Sequence, residues 1–402
     1  MKVRSIKSLA PAIICCSLTV FSSCSDETKI EPQETQQLTS SNLKSVTNLT
    51  IETGMNLSQI NAVLAAATAG QTVYVQPGTY SIAGKLQLKP GITLAKTGGT
   101  PVFDATSHSD ELLEMYYTNN ISNCRIKGLT FHNIRFKIAD AQSVTFYKCV
   151  FDHGKRKPGT DKKYLKDAYI HFLRVENGKV NNCTFSRRQN QSGRGIYCTG
   201  SMNCRIINNT FGDGGPTGYF TTAINGNSSN THIANNSIHR IESWVNSAET
   251  DHGIYFHSFD GLTITGNDIS GWPANSSGGS VKARNAKNLT INNNTFTTSG
   301  ILLYTYDHAT HPYLENVIVE DNTIDVANPA DDLYHGIGYW RNTTNGSEYS
   351  IRIANNQLPN GSIRISFGSL NVADFNADGG GVFNNDISTM NLKSGIHHSG
   401  NY

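Results

Sequence analysis

Two short stretches carry side chains able to hold an anion and move protons. SVKARN (280–285) sets Lys282 and Arg284 two positions apart, and GIYFHS (253–258) sets Tyr255 and His257 at the same spacing. Alternate residues of a strand share a face, so Val281 and Ala283 should point inward and Lys282 and Arg284 outward. By the same parity Ile254 and Phe256 face in and Tyr255 and His257 face out. GILLYTY (300–306) leaves Leu302, Tyr304 and Tyr306 outside, and GIYCTG (195–200) leaves Tyr197 and Thr199. Such a set fits β-elimination of a uronate sugar. A cation neutralises the carboxylate and acidifies the neighbouring C–H, a base takes that proton, and an acid protonates the leaving oxygen. Arg284 and Lys282 are the candidate neutralisers; His257, Tyr255 and Tyr304 are the candidate proton carriers. Repulsion from Arg284 at roughly 7 Å is worth about 2.4 kcal/mol at an effective dielectric near 20. That alone does not bring a lysine from about 10.4 to neutrality, so Lys282 needs desolvation to act as base. His257 starts near 6.5 and needs little help. The two stand as rival bases.

A repeat supplies the elements that would position these groups. LTINNNTF (289–296) recurs as CRIKGLTF (124–131), VTFYKCVF (144–151), GKVNNCTF (178–185) and CRIINNTF (204–211). It continues as THIANNSI (231–238), LTITGNDI (262–269), VIVEDNTI (317–324), IRIANNQL (351–358) and GGVFNNDI (380–387). The third and eighth positions are almost always apolar, as an inward-facing strand, turn and strand require. The sixth is Asn in seven consecutive copies: Asn209, Asn236, Asn267, Asn294, Asn322, Asn356 and Asn385. Coils stacked at about 4.8 Å would align these into an amide ladder. Stacking also predicts two outward columns: Tyr197, Ile224, Tyr255, Lys282, Leu302, and Thr199, Gly226, His257, Arg284, Tyr304. Gly226 and Gly338 would leave room for a ligand.

The repeat, with the opening NLSQINAVLAAATAGQTVYVQPGTYSI (56–82), resembles the pectate-lyase-like right-handed parallel β-helices. The resemblance implies an all-β solenoid of about ten coils over 49–402, closed at its start by a short amphipathic helix. That fold hosts lyases, hydrolases, epimerases and adhesins, so it does not fix the function. Alginate and chondroitin lyases of the fold are similar in placing Lys and Arg on outward strands, though there on neighbouring coils. Pectate-lyase and polygalacturonase signatures are absent.

Outside the patch, DHGKRKPGTDKKYLKD (152–167) groups Lys155, Arg156, Lys157, Lys162, Lys163 and Lys166, and RRQNQSGR (187–194) adds Arg187, Arg188 and Arg194. As loops overhanging the coil face, these favour an anionic polysaccharide. Arg187, Arg188, Arg194, Tyr197, His252 and Tyr306 are the expected substrate contacts. A hydrolase would need paired carboxylates, for which Glu249, Asp251 and Asp307 are candidates. The same three could hold calcium, although no loop has a calcium-binding spacing. A C5-epimerase would share the lyase's first half, and a glycan-binding protein would need no proton transfer. No other cofactor or metal is expected.

The first residues have a basic start, an apolar stretch from Leu9 to Phe21, and the sequence FSSC-SDE. They resemble a lipoprotein signal of Bacteroidetes surface proteins: a signal peptide at 1–23, Cys24 lipidated in the outer membrane, and a polar tether at 24–48. Removing Lys2, Arg4 and Lys7 takes the charge from 33 − 31 = +2 to 30 − 31 = −1. A near-neutral chain has no global field for nucleic acid. A monomer exposed at the cell surface is the expectation. Of the later cysteines, Cys149 and Cys183 share the ladder position of neighbouring coils and could lie close together, while Cys124, Cys198 and Cys204 fall on inward positions; buried free thiols are favoured over a disulfide.

Overall fold

All ten repeat phrases put their fifth residue in the left-handed region, with φ between 52° and 72°. Asparagine tolerates this conformation better than most residues and glycine freely, so Asn182, Asn208, Asn235, Asn293, Asn355, Asn384, Gly128 and Gly266 hold most of these positions. The chain therefore turns sharply at the fifth residue and delivers the sixth to the interior.

The computed structural model describes residues 49–109, 111–155, 168–187, 193–212, 220–240, 252–272, 279–307, 313–326, 335–342 and 346–402. The expected signal segment, tether and Cys24 lie outside the described residues. Among the described residues no helix is long and apolar enough to cross a membrane. The strands pair in parallel, coil upon coil, as a parallel β-helix. The ten phrases form ten successive rungs of one stack. Leu49–Ile51, Thr72–Val75 and Thr93–Lys96 precede them, and His398–Ser399 follows. The helix Leu57–Ala66 buries Ile60 and Leu64 and starts with a capping box between Asn56 and Gln59. Reciprocal bonds of this kind satisfy helix N–H groups that have no partner within the helix.

Between the stacks, the eighth residues form a column inside. Tyr80, Phe103, Phe131, Phe151, Phe185 and Phe211 stack with successive centroids 5.4, 5.8, 5.3, 5.0 and 4.7 Å apart. Aromatic contacts add about 0.5–1.5 kcal/mol each beyond their burial. Further along, Ile238, Ile269, Phe296, Ile324 and Leu358 continue the column, all buried.

The asparagine ladder is present and longer than the repeat predicts. Each buried amide donates from Nδ2 to the Oδ1 of the next at 2.9 Å, from Asn209 through Asn385, and Asn385 donates in turn to Asn401. Each Oδ1 from Asn236 onward also accepts the backbone N–H of the preceding ladder asparagine at 2.9–3.1 Å. Upstream, Cys183 donates its N–H to Asn209 Oδ1, and Cys149 donates its own to Cys183 Sγ at 3.4 Å. The five cysteines are buried free thiols, and burial pushes the Cys124 thiol up to about 12.

His171 shows what burial on this scaffold does to a titratable group. It is 6% exposed, its ring lies 4.8 Å from that of Tyr197, and Nε2 is 3.1 Å from Thr199 Oγ1. Desolvation, and then the charges of Arg135 and Lys137, lower its pKa to about 3.

Two predictions follow from this burial. Asn294→Ala deprives the buried Asn267 N–H and Nδ2 of their shared acceptor. At about 1–3 kcal/mol per orphaned group, it should cost roughly 3 kcal/mol in urea unfolding, whereas Asn293→Gly at the exposed turn should be nearly neutral. Equal losses would contradict the ladder. For His171, the unfolded chain takes up a proton below about 6.5 while the folded chain does not until about 3. Stability is thus lost as pH falls through that window, by up to about 1.4 kcal/mol per pH unit. His171→Gln should flatten the acid limb of a melting-temperature profile, and an unchanged limb would refute the assignment.

Candidate functional site

Strand register assembles the outward patch. Tyr255 pairs with Lys282 and then Leu302; His257 pairs with Arg284 and then Tyr304. Inward Ile254, Phe256, Val281, Ala283, Ile301 and Leu303 are all fully buried and lock the parity. Tyr255, His257, Lys282, Arg284 and Tyr304 are half-buried on three consecutive coils.

Cations and rings interleave within the patch. Lys282 Nζ lies 4.6 Å from the Tyr304 centroid and 5.9 Å from that of Tyr255. The Arg284 guanidinium lies 5.7 Å from the Tyr255 ring and 5.6 Å from the Tyr306 ring. His257 sits beside Tyr255, with centroids 5.6 Å apart. Tyr304 and Tyr306 stack at 6.2 Å, and Tyr306 is 44% exposed. Asn285 clamps the end of that strand, accepting the Tyr306 N–H at 2.9 Å and donating to its carbonyl at 3.1 Å. Arg284 Nε is buried and makes no hydrogen bond among the described residues. The side chain as a whole is half-buried, and a guanidinium set between ring faces is suited to meet an oxyanion through its outer edge.

Several sequence expectations need correction. The first outward column runs Tyr197, Asn225, Tyr255, because Ile224 pairs with Ile196 and Ile254 inside. Gly226 likewise lies in the inward column between Cys198 and Phe256. A Cβ there would meet the Cys198 carbonyl and the Phe256 ring at 2.7 Å, so it makes room for packing, not for a ligand. Gly338 does follow Leu302 on that column, but both are buried, Leu302 with 4% exposure, so neither forms part of an open face. Tyr197 is only 7% exposed, covered by the His171 ring. Arg194 belongs to the strand Gly193–Thr199 and is 3% exposed, so it does not overhang the face from a loop. His252 is also 3% exposed, with its ring 5.3 Å from Tyr255, and supports that phenol from beneath. Lys155 turns its ammonium to the carbonyls of Thr106 and His108, at 2.5 and 3.2 Å. Asp307 is exposed just beyond Tyr306. Residues 156–167, Arg188, Glu249 and Asp251 lie outside the described residues, as does the side chain of Arg187.

Strand parity also exposes residues that were not singled out. Trp340 follows Tyr304 in the His257–Arg284 column and is 39% exposed. It is visible in GIGYWRN (336–342), where Ile337 and Tyr339 face in. Toward the other end, Tyr116, Lys137 and His171 continue the Tyr255 column, with Lys137 Nζ 4.5 Å from the Tyr116 centroid. The two columns thus present cations, rings and amides, and none of their described members is a carboxylate.

No family model and no curated protein matches the chain. Among solved structures, the catalytic domain of a GH87 α-1,3-glucanase is similar with a TM-score of 0.63 at 12% identity, covering 90% of this chain and 70% of that one. The surface adhesin PfbA of Streptococcus pneumoniae is similar with a TM-score of 0.51 at 15% identity, covering 89% of this chain and 100% of that one. At such identities the likeness extends to the fold, which an enzyme and an adhesin share.

Proposed function

We propose that this protein is a carbohydrate-active enzyme, a polysaccharide lyase that cleaves a uronate-containing chain by β-elimination. The observation that carries this reading is Arg284, half-buried between the rings of Tyr255 and Tyr306 and one rung from His257. Arg284 binds and neutralises the uronate carboxylate. His257 removes the C5 proton, and the electron pair of that bond forms the C4–C5 double bond as the C4–O bond breaks. A tyrosine, Tyr255 or Tyr304, protonates the departing oxygen. Of the rival bases, His257 is the better supported. Lys282 lies over the faces of Tyr304 and Tyr255, and a ring face favours the cationic form of the ammonium. Lys282 therefore serves as a second carboxylate contact, and Tyr306 and Trp340 offer flat faces to the sugar rings. The protein acts at the cell surface, tethered through Cys24.

A glycan-binding role without chemistry is the second reading, since cations and exposed rings also suffice for binding. The scarcity of carboxylates in the two columns weighs against a hydrolase built there.

Incubation with alginate, polygalacturonate and glycosaminoglycans should give ultraviolet absorbance from an unsaturated uronate end. Arg284→Ala and His257→Ala should each lower kcat/KM by at least about 100-fold, within the range set by removal of charge stabilisation or a general base. New reducing ends without the absorbance would overturn the lyase in favour of a hydrolase. Retained binding with no product would leave the binding role, and full activity in both variants would refute the site.

A further inference from the structure

A second cluster lies on a different stack, at the strands Pro101–Asp104, Thr130–His132 and Val150–Gly154. Asp104 pairs with His132, and His132 with Asp152, so the three occupy one column on consecutive coils. His153 follows at once. The His132 and His153 rings are 4.2 Å apart by centroid. His132 Nδ1 is 3.9 Å from Asp104 Oδ1, and His153 Nδ1 is 3.2 Å from Asp152 Oδ2. Ligand atoms of His132, Asp152 and His153 all fall within 4.8 Å of one another. The group borders a hollow of about 430 Å³, lined by Asp104, Thr106, His132, His153 and Lys155.

We propose that Asp104, His132, Asp152 and His153 bind a divalent transition-metal ion of the zinc type. Two imidazoles and two carboxylates are the donors such an ion prefers, and they balance its charge. With bonds of about 2.0–2.1 Å, tetrahedral ligands lie about 3.3 Å apart. The 3.2 Å between His153 Nδ1 and Asp152 Oδ2 already matches that spacing, and Asp104, which lies outside the group of ligand atoms within 4.8 Å of one another, joins by rotating its second oxygen inward. The carboxylates are already oriented: Asp104 Oδ1 accepts the Thr106 N–H at 2.9 Å, and Asp152 Oδ1 accepts the His153 N–H at 2.6 Å. Each acid thereby keeps one oxygen for the ion, as supporting bonds in metal sites do. The Lys155 ammonium is occupied with the Thr106 and His108 carbonyls and braces the rim. His153 sits at φ 55°, the conformation that Asn133 adopts one coil earlier, and so brings a second imidazole over the first. A bound ion would staple three coils in the part of the solenoid upstream of Asn209, where the asparagine ladder begins. The proposal is independent of the sugar site.

The test uses the full chain without a polyhistidine tag, stripped with a chelator and titrated with Co2+. One equivalent should bind with visible d–d absorbance, Zn2+ should displace it, and Ca2+ at the same concentration should not. His132→Ala and His153→Asn should each weaken Co2+ binding by at least about tenfold. Asparagine keeps the positive φ, so His153→Asn should retain the wild-type far-ultraviolet dichroism. Zn2+ should raise the melting temperature of the wild type and not of either variant. Absence of the Co2+ absorbance, its survival in both variants, or displacement by Ca2+ would each overturn the proposal.

Discussion

From Asn209 onward, the surface of this solenoid depends on a buried amide bonded to the amide of the next coil. Parallel strands alone fix spacing along the axis but tolerate a slip of one residue, which would turn every side chain to the other face. The ladder removes that freedom over the coils it joins. A slipped asparagine would leave two donors and two acceptor sites unsatisfied in the core, far more costly than the packing it could regain. The fully buried Ile254 and Val281 lie in those coils, and their parity makes Tyr255 and Lys282 face out.

Rigidity of this kind suits a site assembled from single residues of successive strands. The patch side chains arrive at a fixed separation of about 4.8 Å between coils. They are further held by one another: ammonium over phenol, guanidinium between phenols, imidazole beside phenol. A chain of negatively charged sugars lying on this face would meet cations that need little reordering, which lowers the entropic cost of binding.

Much of the fold was legible in the sequence because the repeat is strict where the core is strict. Positions three and six of the phrase are buried in every copy and position eight in all but the last, and these are the positions whose residue types recur. The fifth position was harder to read, since asparagine, glycine, lysine and aspartate all serve a left-handed turn. The patch was legible because Val281 and Ala283, like Ile254 and Phe256, declare their side plainly. FTTAING (220–226) does not: all seven residues are buried in the structure, and small polar side chains give no alternation to follow. That is how Ile224 and Gly226 were set one place out of register. The Asp104–His132–Asp152 column escaped notice for another reason. Its members are one coil apart in space but 20 or more residues apart in sequence, a spacing that no local metal motif has.

The ladder also has a direction. Along the side-chain chain every amide gives one hydrogen to the Oδ1 of its C-terminal neighbour, from Asn209 to Asn401, while it also donates back to a backbone carbonyl of the preceding coil. One whole coil can therefore be duplicated or excised with the donor and acceptor accounts of its neighbours unchanged, whereas a lone residue cannot. Growth by whole turns would lengthen the outward columns in steps of one coil, and the molecule's modular unit is the turn.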